Sequence, residues 1–540
     1  MDEGRLALDV DINTYLDGFS VVDTYPDEPI TLRHLLTHTA GFAEKVVGIL
    51  PAHATDVGPL GEFLAEHQPA RVRPPGRLAA YSNYGLALAG LIVEQRSGVP
   101  FETYVSDQVL RPLRMHSTTF TQPLPSHLLD RSTTLYESRD GTPIPVTRAG
   151  DHLYPAGGAW ATVADMGRFM MAHLGSGHVG DARILSADAA RQMHTRQFEH
   201  DPRLPGLALA FHEWYHGSLR MLGHGGDGPG SHSAMALLPD DGEGIFVVFN
   251  GDGIDGGAAL AARRVVERFV DYTHPRAGLP DGPAGATASG TAPAAVAGTY
   301  RTTRMNHSDY TRLFLALATD VTVTAHPDGS ITTTGLSLDP AVVEQHWLPV
   351  GDGLFREADG ARLIAFDHRD GRVALLDGSS AFQRLAWYEH PSLHLAIAGA
   401  GLVLLLSSAA WPVMALVRRR GRRAPTVRPR TARGAYAVAG ATALLVVGFI
   451  VALLALLADP SSFMIAVLQG SPLVSVVFVP LGLAALGGLA IVVYAALAWR
   501  NRSWNQWARV HYTAVATGGV LLFGIAHAYH LTTAPLALLG

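Results

Sequence analysis

Along roughly the first 270 residues, apolar positions recur at helical spacing in short blocks separated by polar turns. In "YSNYGLALAGLIVEQRSG", Leu88, Leu91 and Ile92 share one helical face, and Gly98 stands where that helix would end. "TLRHLLTHTAGF" predicts a short helix capped by Thr31 and stopped by Gly41. "ATVADMGRFMMAHLG" sets Thr162 three residues before Asp165, the capping-box spacing, ahead of an amphipathic run ending near Gly175. "GIFVVFNGDG" is almost continuously apolar and closes in a turn, which predicts a buried strand. The mixture predicts an α+β domain over residues 1–272.

The pattern then changes three times. Residues 273–296, "THPRAGLPDGPAGATASGTAPAAV", have no apolar period and consist mostly of Ala, Gly, Pro, Thr and Ser, which predicts a linker. Residues 297–389 alternate short Thr/Val/Leu/Phe runs with Asp-Gly pairs starting at Asp328, Asp352, Asp359, Asp370 and Asp377. Asp-Gly between extended runs is a hairpin signal, because its turn needs positive φ. A small antiparallel β-domain, barrel or sandwich, is predicted there, with a binding or spacing role. Residues 390–540 hold four apolar segments near 393–417, 435–457, 473–498 and 511–531. Each reaches the roughly 20 residues that cross a bilayer, so four transmembrane helices are predicted.

Charge sharpens that picture. The formal net charge of −6 divides into +10 from residue 391 onward, eleven Arg against Asp459 alone, and −16 before it. An acidic body on a basic, apolar tail argues for a membrane protein and against a nucleic-acid partner. Eight Arg follow the first apolar segment and three follow the third, while the loop between the second and third has none. The positive-inside rule puts both Arg loops in the cytoplasm and residues 1–390 on the outer side of a multi-pass membrane protein. Cysteine is absent, which removes disulfides and thiol chemistry from consideration.

Candidate chemistry gathers in three stretches: "LLTHTAGF" (residues 35–42), "YSNYG" (81–85) and "GHGGDGPGSHSAMALLPDDGEGIFVVFN" (223–250). "LRPLRMHSTTF" and "PAGGAWATVADMGRF" add to them. In this order and spacing the set resembles the β-lactamase-related serine hydrolases: class C β-lactamases, D-alanyl-D-alanine carboxypeptidases and CubicO-type esterases and peptidases. The resemblance covers about residues 1–272 and implies a serine β-lactamase/transpeptidase-like fold. One departure is Arg114, where the family has Gly in Pro-Leu-Gly-Met.

The resemblance implies acyl transfer to water through an acyl-serine, on an ester, amide or cell-wall peptide, without metal or organic cofactor. It implies Tyr81 as proton relay, Asn83 as the amide that orients substrate, and His224 with Gly225 and Gly226 as the third motif. Ser82 is a further substrate-binding candidate, and the Asp227 N–H is a candidate oxyanion donor. A plainer reading makes Tyr-Ser-Asn only a cap, with Ser82 or Asn83 bonding the first free N–H groups of the helix. His34 and His38 have ligand spacing on a helix, but no Glu follows His34 as the zinc motif requires.

The nucleophile motif Ser-x-x-Lys needs a lysine. The chain has one, Lys45, and Phe42 stands three residues before it, so the motif is absent. In the family it lies upstream of a segment like "EGRLALDVDINTYL", which here begins almost at residue 1. The expectation is therefore a hydrolase domain lacking its N-terminal part and inactive as given. The alternative is a non-catalytic sensor that holds a cell-wall peptide.

Overall fold

The computed structural model describes residues 1–147, 149–275, 292–420, 430–502 and 504–535. They form two compact units: Met1–Lys45, Ile49–His307 and Thr319–Arg384 in the first; Val46–Gly48, Ser308–Ala318 and Leu385–Gly540 in the second. Most of the expected linker, residues 276–291, and residues 421–429 of the first Arg loop lie outside the described residues.

The first unit begins with a mainly helical region containing α1 (Leu32–Leu36), α2 (Asn83–Ser97) and α3 (Val163–Leu174). Helix α2 follows its apolar spacing closely. Ser82 Oγ accepts from the Gly85 N–H at 3.1 Å to start it, and Gly98 ends it at φ 76°. Leu88, Leu91 and Ile92 are buried in one core with Leu35 of α1 and Leu64. Helix α1 is shorter than its sequence suggests, because His38 turns left-handed (φ 55°) well before Gly41 does (φ 79°). Helix α3 starts at Thr162, whose hydroxyl accepts from the Asp165 N–H. The Asp165 carboxylate completes no box; it accepts from the Ser117 N–H and the Thr118 hydroxyl and so ties α3 to that loop.

Four antiparallel strands follow, β1 (His212–His216), β2 (Leu219–Gly228), β3 (Ser231–Leu238) and β4 (Glu243–Phe249), in that spatial order. Helix α4 (Ala258–Thr273) sets Ala262 and Val266 against Ala234 and Ala236 of β3. The apolar run expected to be a buried strand is β4, an edge strand with Val248 42% exposed. Strand β1 starts at His212, opposite Gly223. From His224 to Gly228, β2 therefore has β3 on one side and no strand on the other among the described residues.

Eight strands then close an antiparallel barrel: β5 (Gly298–Thr302), β6 (Asp320–Ala325), β7 (Ile331–Thr334), β8 (Glu344–Gly351), β9 (Leu354–Glu357), β10 (Leu363–Arg369), β11 (Arg372–Asp377) and β12 (Ser380–Arg384). Strand β12 pairs with β5, so no edge is left open. The pairs at Asp328, Asp352, Asp359 and Asp370 lie between two consecutive strands, and Asp377 ends β11 with Gly378 in the turn to β12. At Asp352-Gly353 and Asp370-Gly371 both residues have positive φ, the turn whose twist matches the flanking strands. The interior packs around Trp347, Tyr300 and Phe355. The Trp347 indole N–H reaches Thr333 Oγ1 at 2.8 Å, which satisfies a polar group that burial would otherwise penalise.

The second unit contains helix α5 (Thr311–Ala318), which lies between β5 and β6 in sequence, and four helices long and apolar enough to cross a membrane. These are Pro391–Val417, Thr431–Leu456, Pro472–Arg500 and Gln506–Ala528. Asp459, the acid of this tail, caps the short helix Pro460–Leu468 by accepting from the Ser462 N–H at 3.1 Å.

Candidate active site

The turn after α1 is held against the segment before α2 by backbone pairing. Ala80 N–H donates to His38 O, Gly76 N–H to Thr39 O, and Val72 N–H to Gly41 O, each at 2.8–2.9 Å. A side chain at Gly41 would put Cβ 2.1 Å from Arg73 O, so only glycine fits. This pairing fixes where Tyr81 emerges. The Ser82 N–H then donates to His38 Nδ1 at 3.2 Å.

Three sequence-distant histidines surround Tyr81. Its ring centroid lies 4.2 Å from that of His38, 5.8 Å from His224 and 6.3 Å from His212. One ring nitrogen from each histidine falls within 4.8 Å of the others. The hydrogen bonds decide what these nitrogens offer. His38 Nδ1 accepts from Ser82, so in the neutral ring Nε2 carries the proton. His224 Nδ1 donates to Gly225 O, so its Nε2 carries the lone pair. Both Nε2 atoms are buried and have no hydrogen-bond partner. The cluster thus presents a donor on one ring and an acceptor on another, and His38 Nε2 offers a metal ion a proton in place of a lone pair.

Burial holds these rings neutral. It pushes His38 well below the ordinary histidine range, His212 down to about 4, and His224 down as well. Burial also raises the Tyr81 phenol, against the opposing pull of Arg304.

Arg304 comes from the barrel side of the unit, just past β5. Its guanidinium lies 4.9 Å from the Tyr81 ring centroid and pairs with buried Glu44. Thr303 Oγ1 donates to Ala79 O at 2.6 Å, and the Glu44 N–H donates to Met305 O at 2.9 Å. The β11–β12 turn braces the other side: His212 Nδ1 meets Ser379 Oγ at 2.9 Å. His200 accepts from the Ala79 N–H and donates to Gly378 O. The barrel is therefore built into the walls of the cluster.

The third-motif stretch lies on the unpaired edge of β2. Gly223 is demanded by packing, since a Cβ there would come within 1.9 Å of Met235 O. Gly225 has room, with its nearest neighbour at 3.4 Å. Beyond it, His232 bonds Asp227 at 2.9 Å through Nδ1 and Asp252 at 3.1 Å through Nε2. The Asp227 hydrogen bond raises the His232 pKa, and the imidazolium clasps the end of the hairpin that carries Asp227.

The cluster brings Tyr81 and His224 together. Gly225, Gly226 and Asp227 continue along the same edge, and Asn83 opens α2. Ser82 is buried with its Oγ engaged in the α2 cap, which is the plainer of the two readings of that triplet. His34 is occupied elsewhere, bonding Thr31 in the α1 capping box. His212, Glu44 and Arg304 were missed in the sequence. Only His38 carried a signal, its place in "LLTHTAGF".

Residues 1–268 match the family described as Beta-lactamase. The D-alanyl-D-alanine-carboxypeptidase/endopeptidase AmpH of Escherichia coli K12 is 28% identical over 263 residues, 46% of this chain and 65% of that protein. Penicillin-binding protein 4 of Amycolatopsis lactamdurans is 28% identical over 276 residues, 46% of this chain and 67% of its own length. Among solved structures, the octameric penicillin-binding protein homologue from Pyrococcus abyssi aligns at TM-score 0.41 and 16% identity, covering 71% of this chain and 83% of its own. The chain thus spans slightly under two thirds of the E. coli carboxypeptidase. With its motifs in order and the match running from the first residue to 268, this region belongs to the β-lactamase family.

Proposed function

We propose that the first unit carries an acyl-transfer site for an ester, amide or cell-wall peptide, on a chain that its apolar helices anchor in a bacterial membrane. Tyr81 relays the proton, Asn83 orients the acyl amide, and the Asp227 N–H takes the oxyanion beside His224, Gly225 and Gly226. The supporting observation is the 5.8 Å between the Tyr81 and His224 rings, which stand far apart in sequence. Residues 1–390 lie outside the membrane in this reading, with both Arg loops in the cytoplasm.

Ser-x-x-Lys occurs nowhere in the 540 residues. The groups present can hold a substrate and stabilise charge but supply no activated nucleophile. This favours a second reading for the chain as given, a binding protein for cell-wall peptides. A serine-reactive phosphonate separates the two. No covalent mass is expected on the purified chain, while a D-alanyl-D-alanine peptide binds and loses affinity in Asn83→Ala. Stoichiometric labelling of one serine would overturn the binding reading. Absence of any peptide binding would remove the substrate class.

A further inference from the structure

Inside the second unit, the four membrane-length helices and α5 line a partly open cavity of about 130 Å³. Its wall is apolar and includes Leu313, Leu317, Leu395, Phe449, Leu481 and Ala526. The lining positions fall near the same end of every helix: 391–398 of the first, 446–450 of the second, 481 of the third and 522–526 of the fourth. At 1.5 Å of rise per residue, all lie within roughly 15 Å of that end, at the depth of upper acyl chains in one leaflet. Its apolar lining favours hydrocarbon over water, and an apolar cavity of about 150 Å³ accepts a benzene ring. It can take a segment of one hydrocarbon chain but not a whole lipid.

The rim is polar. His394 Nδ1 meets the Tyr529 hydroxyl at 2.8 Å, and its Nε2 meets Tyr388 O at 2.8 Å. Arg312, next to the wall residue Leu313, lies 6.0 Å from the Tyr529 ring centroid and donates to Ala528 O at 3.1 Å. No ion pair of Arg312 with a carboxylate is present among the described residues. The nearby Asp309 carboxylate accepts from the Thr311 N–H and hydroxyl. Trp387 and Tyr388, 77% and 54% exposed just before the first membrane helix, are residue types that settle at headgroup level.

The geometry points to a binding site for an anionic phospholipid, with one acyl-chain segment in the cavity and the phosphate on Arg312. A guanidinium binds phosphate through paired N–H groups, and its charge favours a headgroup without its own cation. The test is native mass spectrometry of the full chain released from nanodiscs of equal phosphatidylglycerol and phosphatidylcholine. One retained phosphatidylglycerol is expected. Ala526→Phe, which fills the cavity, and Leu317→Gln, which makes its wall polar, should each cut retention at least fivefold. Arg312→Gln should abolish the preference for phosphatidylglycerol, and millimolar inorganic phosphate should not displace the lipid. Unchanged retention in both wall variants, in protein with wild-type helicity and thermal unfolding, would overturn the proposal. Equal retention of the two lipids by the wild type would do the same. Displacement by inorganic phosphate alone would mark the rim as a plain anion site and also refute it.

Discussion

The β-lactamase-family region and the barrel differ in what they reveal before folding. The first announces its chemistry through short motifs, each locally recognisable, yet its sheet order and most of the cluster around Tyr81 are invisible until the chain is folded. The barrel announces its architecture turn by turn, since its Asp-Gly pairs mark the junctions of neighbouring strands, but gives no hint that Arg304 and Ser379 reach the candidate site. Local turn chemistry acts over a few residues and can be read from them. Side chains meeting at a site depend on packing between elements hundreds of residues apart.

The largest effect that would test this contrast is steric. Gly223→Ala would force a Cβ to 1.9 Å from Met235 O and 2.6 Å from the Trp214 ring. A loss of about 4 kcal/mol or more is expected, seen as collapse of the first unfolding transition. A mild effect would mean that β2 and β3 can shift apart, and that packing governs this region less tightly than we argue.

Acid should separate the regions next. Burial holds His173, His200 and His212 down to about 4 and His38 lower than usual, all in the family region. Their folded pKa values lie below the unfolded value near 6.5, so the unfolded chain binds protons first. The stability they contribute is full above pH 6.5 and is lost as pH falls toward 4, by several kcal/mol in total. Hydrogen exchange across that range should show the family region opening before the barrel. Simultaneous opening would contradict the contrast. Two groups act with the opposite sign: burial raises Asp151 to about 6, and His232 is raised by Asp227. Each loses its contribution as pH rises through its folded value, so Asp151→Asn should gain stability at pH 8 relative to pH 5.

Arg304→Gln probes the seam between the two regions. Glu44 is nearly buried and would lose its cation, while Arg304 itself is 43% exposed, which moderates the cost. A loss of about 1–2 kcal/mol is expected, together with a further rise of the Tyr81 pKa by ultraviolet titration, since Arg304 now opposes that rise. No change in either would show that the barrel is only a neighbour of the cluster. The smallest effect belongs to the barrel turns. Gly371→Ala meets no atom within 4 Å but must hold φ 75°, which costs about 1 kcal/mol, measurable as a small drop in melting temperature.

Several elements could be read directly because their determinants are adjacent in the chain. Thr31, Ser82 and Thr162 cap the helices they precede, and Gly98 ends α2. Other readings needed correction for equally physical reasons. Helix α1 stops early because backbone pairing of residues 38–41 with residues 72–80 claims its last turn. The run at β4 is apolar without being central, since helices and sheet each cover only part of it.

By itself the sequence determined the family resemblance, the four membrane-length helices and the hairpin turns, and it singled out Tyr81, Asn83 and His224 as candidates. These rest on residue type, spacing and local periodicity, which survive without any knowledge of contacts. Only the tertiary structure decided that His38 presents a proton and His224 a lone pair. That choice belongs to Ser82 N–H on one ring and Gly225 O on the other. It likewise brought Arg304 over Tyr81 and the four helices around one cavity. A neutral imidazole takes its tautomer from whatever backbone group it faces, and no spacing along a chain encodes which group that will be.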